Sequence, residues 1–200
     1  MADPRKIPKQ ARSAAMVETI LEAAARILEE EGIAQLNTNR ISQRAGVSVG
    51  SLYQYFPSKD AIVLELIRIA HADLLKDLKA MAGQMGKAPI EVAVRELVRV
   101  GVEGQLRRPG LSRALDYLEP KLPAHAENEA VDADIRTLVV GVLAQRLPRL
   151  RGKALAAAAA DLAAMSRGMI DAAGARGETV PVALVERVTR AALGYLSPWL

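Results

Sequence analysis

The sequence predicts an all-α protein. Alanine and leucine dominate it while aromatic residues make up only 3% of the chain. Apolar positions recur at three- and four-residue steps, and glycine and proline fall between those stretches. Alanine and leucine are strong helix formers, whereas strands draw on β-branched and aromatic residues. No alternating strand pattern and no repeat period interrupts this reading.

The first helix is expected from Ser13, where Val17, Ile20, Leu21, Ala24, Ile27 and Leu28 form one apolar stripe. Gly32 is its stop. Glu29, Glu30 and Glu31 crowd that end, against the helix dipole, so packing and propensity must outweigh a penalty of roughly some tenths of a kcal/mol. Thr38 then reads as the N-cap of a short helix with Ile41 and Ala45 inward. Gly46 and Val47 make a tight turn into Ser48, a second N-cap, and a helix over Val49 to Tyr55 ends before Pro57. Ser58 caps a fourth helix with Asp60 in its first turn, where negative charge is favoured. This helix carries Ile62, Val63, Leu66, Ile67, Ala70, Leu74, Leu78 and Met81 before Gly83 and Gly86 break the pattern. Further helices are expected at about 90–107, 110–118, 127–147, 153–175 and 181–196, punctuated by Pro109, Pro120, Pro123, Pro148, Gly152, Gly177 and Pro181.

Composition narrows the function classes. Uncharged runs such as Thr137 to Gln145 and Ala154 to Ala160 fall short of the roughly 18–20 residues a membrane span needs. The first residues are polar and basic with no apolar stretch behind them, unlike a secretory signal. A cytoplasmic protein with no membrane partner is the expectation. Without cysteine the chain has no disulfides, thiolate catalysis or Cys-based zinc sites. His71 and His125 show no metal-ligand spacing, so no metal and no cofactor are expected. Net charge is +4, and Arg5, Lys6, Lys9 and Arg12 stand against a single acid, Asp3, at the start of the chain. Such an arm suits phosphates or a minor groove, and equally suits a solvated terminus.

The segment Thr38 to Lys59, TNRISQRAGVSVGSLYQYFPSK, places two short helices around a glycine turn, the arrangement that lays a recognition helix in a major groove. Leu52 and Phe56, four apart, pin one side of the second helix and leave Val49, Gly50, Tyr53 and Gln54 outward. A helical Gly50 costs about 1 kcal/mol relative to alanine, and close approach to DNA supplies a reason for it. Tyr53 and Tyr55 can offer hydroxyls to phosphates, Gln54 can pair with a base edge, and Ser48 opens a helix N-terminus. Each has an ordinary alternative, since Ser48 also caps and Tyr55 also packs.

The string RISQRAGVSVGSLYQYFPSKDAIV resembles the signature of TetR-type regulators: Ile and Ala anchors, a G-V-S turn, a Y-x-Y-F recognition helix and a P-x-K helix start. The resemblance covers about residues 10 to 65. It implies an N-terminal three-helix DNA-binding domain with a helix-turn-helix (residues 1–60) and a C-terminal helical ligand-binding and dimerisation domain (residues 61–200). It puts Thr38, Ser48, Tyr53, Tyr55 and Lys59 near phosphates, with Arg40 a further candidate, and Val49, Gly50, Ser51 and Gln54 near base edges. Asn39 departs from the Thr or Arg often found there.

The resemblance further implies a homodimer on double-stranded operator DNA, a repressor more often than an activator, released by a small-molecule effector. The last two helices would then form the dimer face, through Ala154 to Ala160, Ala163, Ala164, Val182, Val185, Val188, Ala192 and Leu196. The same stripes would also serve to close the monomer's own core. His71, Met81, Met85, Tyr117, Met165 and Met169 are candidates to line an effector cavity, with Arg113 and Asp116 for polarity, and ordinary core or surface roles fit each as well. Two rival readings are an all-helical enzyme and a non-specific architectural DNA binder. The absence of a P-loop, a Gly-rich phosphate motif and Ser-His-Asp logic disfavours the first, and the modest charge the second.

Overall fold

The computed structural model describes residues 9–123, 126–178 and 181–200, with only the backbone course given for 9–12 and 126–129. Arg5, Lys6, His125 and the side chains of Lys9 and Arg12 therefore lie outside the described residues. Among the described residues regular structure is helical: α1 (Lys9–Glu30), α2 (Thr38–Ala45), α3 (Val49–Tyr55), α4 (Lys59–Met85), α5 (Ile90–Arg107), α6 (Pro109–Leu118), α7 (Ala126–Arg146), α8 (Gly152–Ala175) and α9 (Pro181–Leu196). Short 3-10 turns sit at Ile33–Gln35, Glu119–Lys121 and Ser197–Trp199. The helices lie where the apolar periodicity puts them, except that α1 begins before Ser13 and α4 continues through Gly83 to Met85. Gly86, at φ 50°, follows that end.

The chain divides into two compact units, Met1–Ile67 with Ala114–Pro123, and Arg68–Arg113 with Ala124–Leu200. In the first unit α1 packs on α2 and α2 on α3. Its interior is supplied by Ile20, Ala24, Ala25, Ile27, Leu36, Ile41, Leu52 and Ile62, all essentially closed to solvent. Each of these isoleucine and leucine side chains contributes about 1.5–3 kcal/mol by leaving water.

Two caps set the short helices. Asn37, in extended geometry, accepts the Arg40 amide at 2.9 Å and is the N-cap of α2. The expected cap, Thr38, is instead the first helical residue; both types cap well, and the backbone turns helical one residue earlier than the sequence suggested. Gly46 closes α2 at φ 68° and ψ 29°, the left-handed geometry in which a side chain is strained. Ser48 caps α3 as expected, accepting the Ser51 amide at 3.0 Å.

The acidic end of α1 has partners in α2. Glu31 takes Arg40 through two bonds of 2.9 Å and Arg44 through one of 2.8 Å, while Glu30 also holds Arg44. The Arg40 hydrogen bond, opposed by partial burial and reinforced by the charges of Arg40 and Arg44, holds the Glu31 carboxyl below the usual carboxylate range.

In the second unit α9 packs against α5 and α8, and α7 against α8. Val94, Val98, Leu143, Leu147, Leu155, Leu162, Ile170 and Leu184 belong to one buried cluster there. A smaller cluster joins Leu78 and Met81 to Val100. Arg146 fastens the turn before α5, donating to the carbonyls of Gly86 at 2.8 Å and Ala88 at 2.9 Å.

The expected dimer face needs correction. Val185, Val188, Ala192 and Leu196 are 7%, 0%, 1% and 0% exposed within a single chain, because the apolar stripe of α9 is what closes this core. Ala158 and Ala159 are likewise buried. Ala154, Ala156, Ala157, Ala160, Ala163 and Ala164 of α8 remain exposed, as does Val182.

Two outcomes follow for stability. Leu52→Ala leaves a cavity beneath α3 and should lower the unfolding free energy of the first unit by about 2–5 kcal/mol in urea titrations. Because the Glu31 carboxyl is depressed, its stabilising contribution is present above the ordinary carboxylate range and is lost as pH falls through that range and below. Glu31→Gln should flatten this acid limb of the stability profile; an unchanged profile would contradict the role assigned to the pair.

Candidate nucleic-acid interface

The outward side of α3 is built from the residues that α3 does not bury. Leu52 is 0% and Phe56 8% exposed, and 3.6-residue periodicity turns Gly50, Tyr53 and Gln54 away from them, while Val49, three residues before Leu52, stays on their side at the first position of α3. Val49 is 37% and Tyr53 51% exposed, large values for apolar and aromatic side chains on an otherwise well-buried unit. Neither α2 nor α3 contains an acidic residue, so no carboxylate of these helices opposes a phosphate.

Gly50 has ordinary helical geometry and open space around it. A Cβ there would meet only the Ser48 Oγ, at 3.9 Å. Packing therefore does not call for glycine at this position, unlike Gly46, whose backbone does. A flat spot on an exposed helix admits another surface closely.

Hydroxyls are grouped at the two helix starts. The Thr38 Oγ1 lies 3.3 Å from the Tyr53 hydroxyl, linking the first turn of α2 to the outward side of α3. The Ser48 and Ser51 hydroxyls lie 2.8 Å apart, and Ser51 is half-buried. Tyr55 is half-buried, on the flank between the inward and outward sides. Lys59 is exposed at the first position of α4, beside Ser58, whose hydroxyl accepts the Ala61 amide at 3.1 Å. Arg40 is held by Glu31 and also donates to Gln43 at 3.0 Å, which raises its pKa through the Glu31 bond and leaves its charge largely balanced. The Thr38–Tyr53 contact was not legible in the sequence, since fifteen residues separate the partners and no local pattern relates them.

The cavity candidates hold separate places. Met165 and Met169 pack, partly buried, on the large core of the second unit. Met85 packs on the smaller cluster that includes Met81. His71, on α4, has its Nδ1 2.9 Å from an Asp132 carboxylate oxygen of α7. Arg113 is exposed and donates to the Pro109 carbonyl at 3.2 Å and the Gly174 carbonyl at 3.5 Å. Tyr117, in the first unit, is 58% exposed with the Lys121 ammonium 3.0 Å above its ring.

Comparison with known proteins agrees with this architecture. The chain is similar, at 30% identity over 110 residues, to the nucleoid occlusion factor SlmA of Glaesserella parasuis, the match covering 55% of this chain and 53% of that protein. It is 27% identical over 131 residues to the HTH-type transcriptional repressor KstR of Mycobacterium tuberculosis, covering 64% of this chain and 59% of that one. The chain thus matches little more than half the length of these curated relatives. The transcriptional regulator FadR of Bacillus subtilis, solved in complex with stearoyl-CoA, shares the fold with a TM-score of 0.73 at 16% identity, over 88% of this chain and 96% of that one. Residues 20–66 match the tetR family of bacterial regulatory proteins, and residues 89–196 match the tetracyclin repressor-like C-terminal domain. With both halves matched in order, the chain belongs to the tetR family of bacterial regulatory proteins.

Proposed function

We propose that this regulator is a cytoplasmic homodimeric repressor that grips a palindromic operator through α3 and releases it when a small molecule enters its C-terminal helical region. In this reading residues 1–60 bind DNA and residues 61–200 bind the effector and dimerise. The observation that carries it is the exposed side of α3, where Val49, Gly50, Tyr53 and Gln54 are open to solvent and the glycine serves no packing need.

Each residue has a role that its position supports. Val49, Gly50, Ser51 and Gln54 face base edges, with Gln54 able to pair bidentately with adenine. Thr38, Ser48, Tyr53, Tyr55 and Lys59 take phosphates and fix the register. Arg40 positions α2 through Glu31 and reaches a phosphate only if it leaves that partner. One short helix makes few contacts, so two are required, about 34–36 Å apart for successive major grooves. The exposed alanines of α8 support the dimer face, since small side chains let helices approach closely.

For the effector, Met165 and Met169 offer adaptable apolar surface, and His71, Met85, Arg113 and Tyr117 remain candidates of the same reading. The repressor name of KstR and the stearoyl-CoA held by FadR support repression and a small-molecule ligand for this fold. Release follows if the ligand favours a conformer whose α3 helices no longer match groove spacing.

Selection of bound fragments from random duplex DNA tests the reading directly, and a recovered palindrome is the expected result. Gln54→Ala should weaken the selected site by about 1–3 kcal/mol and relax preference at one base pair. Gly50→Ala should stabilise the free protein by about 0.5–1 kcal/mol while weakening operator binding; tighter operator binding would refute the close-approach role. Ala160→Glu should convert dimer to monomer in sedimentation and abolish binding to the full operator, leaving the helical content unchanged.

A further inference from the structure

Away from α3 and from the exposed alanines of α8, the second unit carries a groove of about 390 Å³ between α5 and α9. Arg95, Glu186, Thr189, Arg190 and Leu193 line it. Several arginines of this unit are engaged: Arg99 with Glu96 and Glu103, Arg107 with Asp77, Arg187 with Glu178, and Arg146 with backbone carbonyls. Arg95 and Arg190 are exposed and hold neither a carboxylate nor a carbonyl among the described residues, and Glu186 pairs with neither of them.

The groove also contains an anomaly of burial. Thr189 is 4% exposed, and its hydroxyl has no hydrogen-bond partner among the described residues. A buried helical threonine ordinarily satisfies that hydroxyl on the carbonyl four residues earlier. Thr189 lines the groove, and a staggered rotation about χ1 re-aims its hydroxyl.

We propose that this groove is a binding site for a small organic monoanion. The guanidinium forks of Arg95 and Arg190 receive its carboxylate, the Thr189 hydroxyl adds a neutral donor, and Leu193 covers its apolar part. The volume lies near the lower end of the roughly 300–1,000 Å³ typical of ligand sites, which suits a small molecule. Glu186 repels a second negative charge, so a monoanion is preferred over a dianion. The site stands apart from the residues assigned to DNA and effector above.

Calorimetric titration of the full chain with hexanoate, and with hexanol as its uncharged counterpart, tests the proposal. Saturable one-site binding of hexanoate and none of hexanol are expected. Arg95→Gln and Arg190→Gln should each weaken hexanoate about three- to fivefold, and Glu186→Gln should tighten it about two- to threefold. Thermal unfolding of each variant confirms that it folds. Absence of saturable binding, equal binding of hexanol, or unchanged affinity in both arginine variants would overturn the site. If the arginine variants alter the oligomeric state in sedimentation instead, the groove belongs to a second copy of the chain and the proposal fails.

Discussion

A helix of seven residues does not persist alone in water, because nucleation is unfavourable and so few bonds follow it. Everything proposed for α3 therefore depends on what holds α3 in place. Leu52 and Phe56 fasten its inner side, the Ser48 hydroxyl closes its first turn, and Gly46 sets the angle at which the chain enters. The outer side is then presented in a fixed orientation without having to contribute to its own stability. That division lets residues such as Gly50 and Gln54 be chosen for contact with another molecule.

The ion pairs between α1 and α2 extend the same constraint. Three successive glutamates at a helix C-terminus oppose the macrodipole, yet Glu30 and Glu31 meet Arg40 and Arg44 there. Their exposure limits what they add to stability. Their geometry matters more, since Arg40 and Arg44 project from one face of α2 and Glu31 engages both.

What was legible in the sequence was local. The Ser48 cap, the Gly46 turn and the Leu52–Phe56 spacing each depend on residues within a turn or two, and each appears where the pattern puts it. Asn37 and Thr38 are adjacent and both of a capping type, and the backbone uses the asparagine, the stronger cap of the two. Periodicity also identified the apolar stripe of α9 without saying what covers it, and the answer was α5 and α8 of the same chain. The groove between α5 and α9 left no trace in the sequence, because Arg95 and Arg190 lie far apart in the chain and resemble any other surface arginines.

Scarcity of aromatic residues has an optical consequence. The single tryptophan, Trp199, packs against the large core of the second unit, its ring centre 6.1 Å from that of Tyr195. Tyr53 and Tyr55 both belong to α3. Indole emission thus samples the C-terminal unit alone, whereas phenols occur in both units, two of them on α3. Events in the C-terminal unit can therefore be followed through its own indole, without attaching a dye.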